Sequence, residues 1–161
     1  MLEKIIDYLQ RKEWTFIHGK YPKALSFNIK GFNASFNCLV DVSDDFFLCI
    51  TFNGTICPID KRLQLSELFT RINSNLKYGN FEMGMDSGEI KFRTCICSEG
   101  IEINDTVIEN VIMRNINVHD FSFLWISKFL FGEKTSMSEI YNDLFPPLEE
   151  LESKEVKQIE G

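Results

Sequence analysis

Five cysteines and two histidines are the residues of this 161-residue chain best suited to do chemistry. Cys95 and Cys97 stand two apart, so on a strand both thiols share one face. By the same alternation Cys49 points away from Phe46, Leu48, Ile50 and Phe52. If the two strands lie close together, Cys49, Cys95 and Cys97 could converge into a redox or zinc-binding set. The spacing speaks against it. Structural zinc sites draw on C-x2-C turns, redox pairs on C-x-x-C, and cysteine packs in sheets as a small hydrophobe. Packing is therefore the favoured role, with no metal and no cofactor. Five thiols in an intracellular chain also point to free cysteines rather than a disulfide framework.

His18 and His119 have no motif partner, and both are expected at the surface. That removes the side chain most used for proton transfer near neutral pH. Asp44, Asp45 and Asp86 fall in turns, where carboxylates usually bond to the backbone. The phosphate-cradling, nucleophile-elbow and metalloprotease motifs are missing. No catalytic residue is expected, and the chain reads as a non-enzyme.

The net charge of −7, with no Lys/Arg stripe, disfavours nucleic acid and anionic membrane surfaces as partners. The first residues interleave charge with apolar side chains, unlike a signal peptide, and no apolar run reaches bilayer length. A cytoplasmic location is expected. With 44% apolar residues and 15 Phe, a chain of this length can fill a real core.

The elements that must position these groups follow from periodicity. Leu2, Ile5, Ile6 and Leu9 predict an opening amphipathic helix. Strands follow, in which Leu25, Phe27 and Ile29, then Ala34, Phe36, Cys38, Val40 and Val42, alternate with polar residues, broken only by Leu39. Phe46, Leu48, Ile50 and Phe52 share one face of the next strand, and the three strands form an antiparallel meander with one buried face. Asp60 is an N-cap candidate for a helix with the stripe Leu65, Leu68, Phe69, Ile72 and Leu76. Two strands, 81–85 and 89–97, join through Asp86-Ser87-Gly88. Asn104 opens helical periodicity in two pieces meeting near Asn117, closed by Gly132. Ser136 and Glu139 form a capping box for a last helix that Pro146-Pro147 stops. Residues 1–147 thus read as one α+β domain, and 148–161 as a charged tail or solvated helix.

The stretch 118–131 is apolar almost all round, with Phe121, Trp125 and Phe129 clustered on one side. Such a helix is buried on more than one face. It is either central in the monomer or shared with a second subunit, and in the second case those three residues bind protein.

Residues 60–96 resemble the YbjN family of proposed bacterial sensory transduction regulators. The resemblance is carried by Asn73, Gly79-Asn80-Phe81-Glu82, Gly88-Glu89-Ile90 and Arg93. It implies a fold like that of type III secretion chaperones, a twisted antiparallel sheet flanked by helices. Those proteins commonly dimerise and bind extended client segments. It implies no catalytic residue and no cofactor. The expected function is a non-enzymatic chaperone-like or adaptor protein that binds a protein partner as a homodimer. The alternative is a cytosolic regulator sensing a small ligand or redox state through surface cysteines.

Overall fold

The first helix, α1 (Leu2–Arg11), turns Ile5, Tyr8 and Leu9 inward from its amphipathic pattern. It ends in a Schellman turn: Glu13 N–H donates to the Gln10 carbonyl and Trp14 N–H to the Leu9 carbonyl, both at 2.9 Å. Glu13 takes the left-handed φ of 57° that this motif requires. The turn brings Trp14 edge-on to Tyr8 and within 5.4 Å of the Phe27 ring. The computed structural model describes residues 1–42, 45–132 and 136–144. Asp44, Pro146-Pro147, the domain limit at 147 and the stretch 148–161 lie outside the described residues.

Among the described residues, six antiparallel strands form one sheet in the order β1-β2-β3-β4-β6-β5. They are β1 (Phe16–His18), β2 (Ala24–Lys30), β3 (Ser35–Asp41), β4 (Phe46–Phe52), β5 (Asn80–Met83) and β6 (Ile90–Cys97). The inner face carries Leu25, Phe27, Phe36, Cys38, Val40, Phe81 and Phe92, all buried. Against it pack α1, α2 (Arg62–Asn73) and α3 (Asp105–Phe131), and α4 (Met137–Leu144) packs on α2 and α3. This is the α+β architecture that the alternation and helical stripes predict.

Three local expectations are corrected. On β4 the buried set is Phe47, Cys49 and Thr51, while Phe46, Leu48, Ile50 and Phe52 face outward. Register decides this: Cys49 sits across from Val40 and Thr94, and Thr51 across from Cys38 and Phe92, all inward residues. Second, α3 is one continuous helix through Asn117. It holds no Gly or Pro, and Asn104 caps its start by accepting from Val107 N–H at 3.1 Å. Third, Asp60 caps nothing. Pro58 leads into a 3-10 turn (Ile59–Lys61), and α2 starts after it without a side-chain cap. Lys61 instead donates to the Leu130 carbonyl at 2.6 Å, closing the far end of α3.

The capping box forms as the spacing predicts. Glu139 N–H donates to Ser136 Oγ, and Ser136 N–H to the Glu139 carboxylate. Gly88, at φ 75°, closes the β5–β6 hairpin, where a side chain would run into the Cys57 carbonyl.

Asn73 explains why the β5 edge is closed. Its Oδ1 accepts from Phe81 N–H at 2.8 Å and its Nδ2 donates to the Phe81 carbonyl at 3.0 Å. The side-chain amide stands where another strand would bond, which blocks edge pairing. Asn73→Ala is expected to cost about 2 kcal/mol, since both Phe81 groups lose their partner. Denaturant melts and faster hydrogen exchange at the Phe81 amide check it; an unchanged exchange rate would dismiss the edge-cap role.

Candidate functional site

The residues singled out for possible chemistry do not assemble into one centre. Cys49 points inward, its Sγ 3.4 Å from Cys38 Sγ, whereas Cys95 and Cys97 are exposed on the opposite face of the sheet. Thus Cys95 and Cys97 share a face, as their spacing predicts, but Cys49 does not join them. Burial pushes the Cys38 thiol well up, with its neighbour Cys49 adding to the effect. Burial also raises the Cys95 thiol, opposed by Arg93 and reinforced by Cys97. A raised thiol is a poor nucleophile at neutral pH. Among the described residues, no group of three or more His, Cys, Asp or Glu could hold a metal ion.

His18 is exposed, but His119 is not at the surface: it is 1% exposed, at the centre of the molecule. Its position on the inner side of α3 places it against β4. Thr51 donates its only hydroxyl proton to Asn115 Oδ1 at 2.6 Å. The 2.8 Å contact between Thr51 Oγ1 and His119 Nδ1 therefore assigns the proton to Nδ1. Asn115 Nδ2 faces the Cys49 and Phe92 carbonyls at 2.9 and 3.2 Å, and Thr94 Oγ1 donates to the Val111 carbonyl. Burial lowers the His119 pKa to about 4, against a smaller upward pull from Asp120. The imidazole is neutral and walled in by Phe36, Phe81 and Phe92. This network ties α3 to the sheet. Thr51, Thr94, Asn115 and His119 are all buried within it.

The next residue makes a second polar anchor. Asp120 accepts from the backbone N–H groups of Phe32, Asn33 and Ala34 at 2.8–2.9 Å. Asn33 Nδ2 in turn donates to the Asp120 carbonyl at 3.0 Å. Gly31 permits the approach, because a Cβ there would lie 2.5 Å from the carboxylate. The clamp fixes the β2–β3 hairpin while leaving the Phe32 ring at its tip 97% exposed.

The surface most suited to binding is the outer face of the sheet. Leu39, Leu48, Ile50 and Phe52 are half-buried there, and Phe46 is exposed; none of them belongs to either core cluster. Leu39 lies across from Ile50, Leu48 across from Cys95, and Phe46 across from Cys97, so these side chains form one island. Polar ladders that satisfy themselves frame it. On one side Ser26 donates to Asn37 and Asn37 to Asn28; on the other, Arg93 pairs with Glu82 at 2.8 Å and Lys91 with Glu89 at 2.7 Å. An apolar centre with a satisfied polar rim is the anatomy of a protein-binding patch. The sign of this island is the run Phe46–Phe52, apolar on both alternations. The opposite register assignment hid it.

Of the three helix residues expected to bind protein, Phe121 is 61% exposed, Trp125 is half-buried against the core and Phe129 is buried. Leu124 and Phe131 are further exposed apolar residues of α3. Among the described residues, no helix is long and apolar enough to cross a membrane.

Among the described residues, fold and surface define an α+β protein with helices on one sheet face and an apolar island on the other. Its backbone is similar to the crystal structure of YbjN from E. coli, a proposed transcription regulator, with a TM-score of 0.59. The match covers 77% of this chain and 89% of that one at 13% identity, so the likeness is one of fold. No family model matches the sequence, and no curated protein does. The residues that suggested this likeness act in folding. Asn73 holds Phe81, Glu82 pairs with Arg93, and Gly79 at φ 80° passes where a Cβ would meet the Phe92 ring and the Arg93 carbonyl.

Proposed function

We propose that this chain is a non-enzymatic, chaperone-like or adaptor module of the cytoplasm that works as a homodimer. It holds a segment of a client protein on the outer face of its sheet. The observation that supports this reading is the island of Leu39, Phe46, Leu48, Ile50 and Phe52 on the face opposite the helices of the described residues. Apolar side chains exposed at the centre of a patch are where binding energy concentrates. The buried, neutral His119 and the raised Cys95 thiol fit a protein without catalytic groups.

Ile50→Asp tests it. The side chain faces outward, so the fold should survive, as a thermal melt will show. A client captured stoichiometrically by the wild type should be lost, because a carboxylate would be desolvated at the centre of the contact. Equal capture by both proteins would rule out the sheet face.

A second reading, a regulator sensing redox state or a small ligand, draws support from the exposed thiols of Cys95 and Cys97 at the margin of the same island. Against it stands the raised Cys95 thiol. Alkylation of both thiols separates the two: a sensor loses its response, whereas a binding face keeps its client.

A further inference from the structure

We propose that the Phe32 hairpin and the outer stripe of α3 are the surface through which two copies of this chain associate. The inference rests on the homodimer of the preceding reading and assigns it a place. It comes from the two opposed stripes of α3. The inward stripe carries Ile112, Asn115, His119, Ser122, Ile126 and Phe129, all buried. The outward one carries Arg114, Asn117, Phe121, Leu124, Lys128 and Phe131 at alternating spacings of three and four, all exposed. That alternation is the seam along which helices pack in pairs. Its first half is polar. Its second half leaves Phe121 61%, Leu124 51% and Phe131 71% exposed.

Phe32 belongs to the same patch. Asp120 lies on the flank of the outward stripe and holds the hairpin there by its three backbone bonds. The loop is ordered before any partner arrives, so little further entropy is lost on docking. An almost fully exposed Phe on a clamped loop is an anchor that finds no socket among the described residues.

Area and symmetry favour a second copy as the occupant. The exposed fractions of Phe32, Phe121 and Phe131 amount to roughly 350–550 Å², given what a Phe side chain buries. That is roughly 45–70% of the ~800 Å² per partner in a standard interface. The patch holds a protrusion and, beside it, a shallow apolar helix surface. A two-fold axis near Leu124 would seat each Phe32 against the stripe of the other copy, the reciprocal contact of an isologous dimer. Antiparallel α3 helices crossing there set Lys128 of each copy near Phe121 of the other, with the two lysine backbone positions about 12 Å apart along the axis. At physiological salt that repulsion is largely screened.

Sedimentation equilibrium of the full chain decides it. The wild type should be a dimer at about 10 µM, an ordinary strength for such a contact. Phe32→Ser and Leu124→Asp should each raise the dissociation constant about 30-fold, the effect of losing a central anchor. Both sites are exposed, so circular dichroism and the monomer's melt should be unchanged. A monomeric wild type, or a dimer unaffected by either substitution, overturns the proposal. Client capture is read separately. Monomeric Leu124→Asp that still binds client leaves the sheet-face reading intact, and a dimer that captures nothing refutes only that reading.

Discussion

Replacing Asp120 with alanine lowers the unfolding free energy by about 3–4 kcal/mol, because charge-assisted hydrogen bonds from a buried carboxylate carry large individual weights. The side chain is 7% exposed and accepts from Phe32, Asn33 and Ala34. Without it those amides must turn to water or remain unpaired. The hairpin lies near the surface and can recover part of the loss, so the cost stays below the sum of three such bonds. Gly31→Ala should act through the same clamp, since its new Cβ would lie 2.5 Å from Asp120 Oδ1. In the double variant the two losses should fall well short of adding. Urea unfolding of the four proteins measures this. Additive losses, or a loss below about 1 kcal/mol for Asp120→Ala, the range of an ordinary surface change, would show that the clamp does not hold the hairpin.

Acid is expected to destabilise the protein through His119. Burial lowers its pKa from 6.5 to about 4 in the folded chain. Between those values the unfolded chain takes up a proton that the folded chain refuses. The stabilising contribution is therefore complete above pH 6.5 and is lost as the pH falls towards 4. The shift corresponds to about 3 kcal/mol at most. His119→Gln removes the titrating ring and keeps a donor for Thr51, so it should flatten this limb of the stability curve while lowering the plateau. Denaturant midpoints between pH 7.5 and 4 provide the comparison. An identical pH profile in the variant would mean that His119 is not the group responsible.

Much of the fold could be read along the chain because the signals are local. The meander alternation, the α2 stripe from Leu65 to Ile72, the Asn104 cap and the Ser136–Glu139 box each depend on residues within a few positions of one another. The separation of Cys95 and Cys97 onto one face has the same origin. Local signals also mislead where two answers satisfy them equally. β4 is apolar on both alternations, so its own residues could not say which set was core. Nor could the apolar run of α3 say which of Phe121, Trp125 and Phe129 reach water.

The sequence by itself determined the α+β class, the amphipathic stripes of α1 and α2 and the inward sets of β2 and β3, since propensity and period are properties of short segments. Only tertiary structure decided that Phe47 and not Phe46 is core, that Cys49 turns from Cys95, and that His119 is buried. It also placed Asp120 on a hairpin 86 positions or more away in the chain. Each of these depends on strand register or on a hydrogen bond between distant residues, and pairings of that kind leave no periodic trace in one chain.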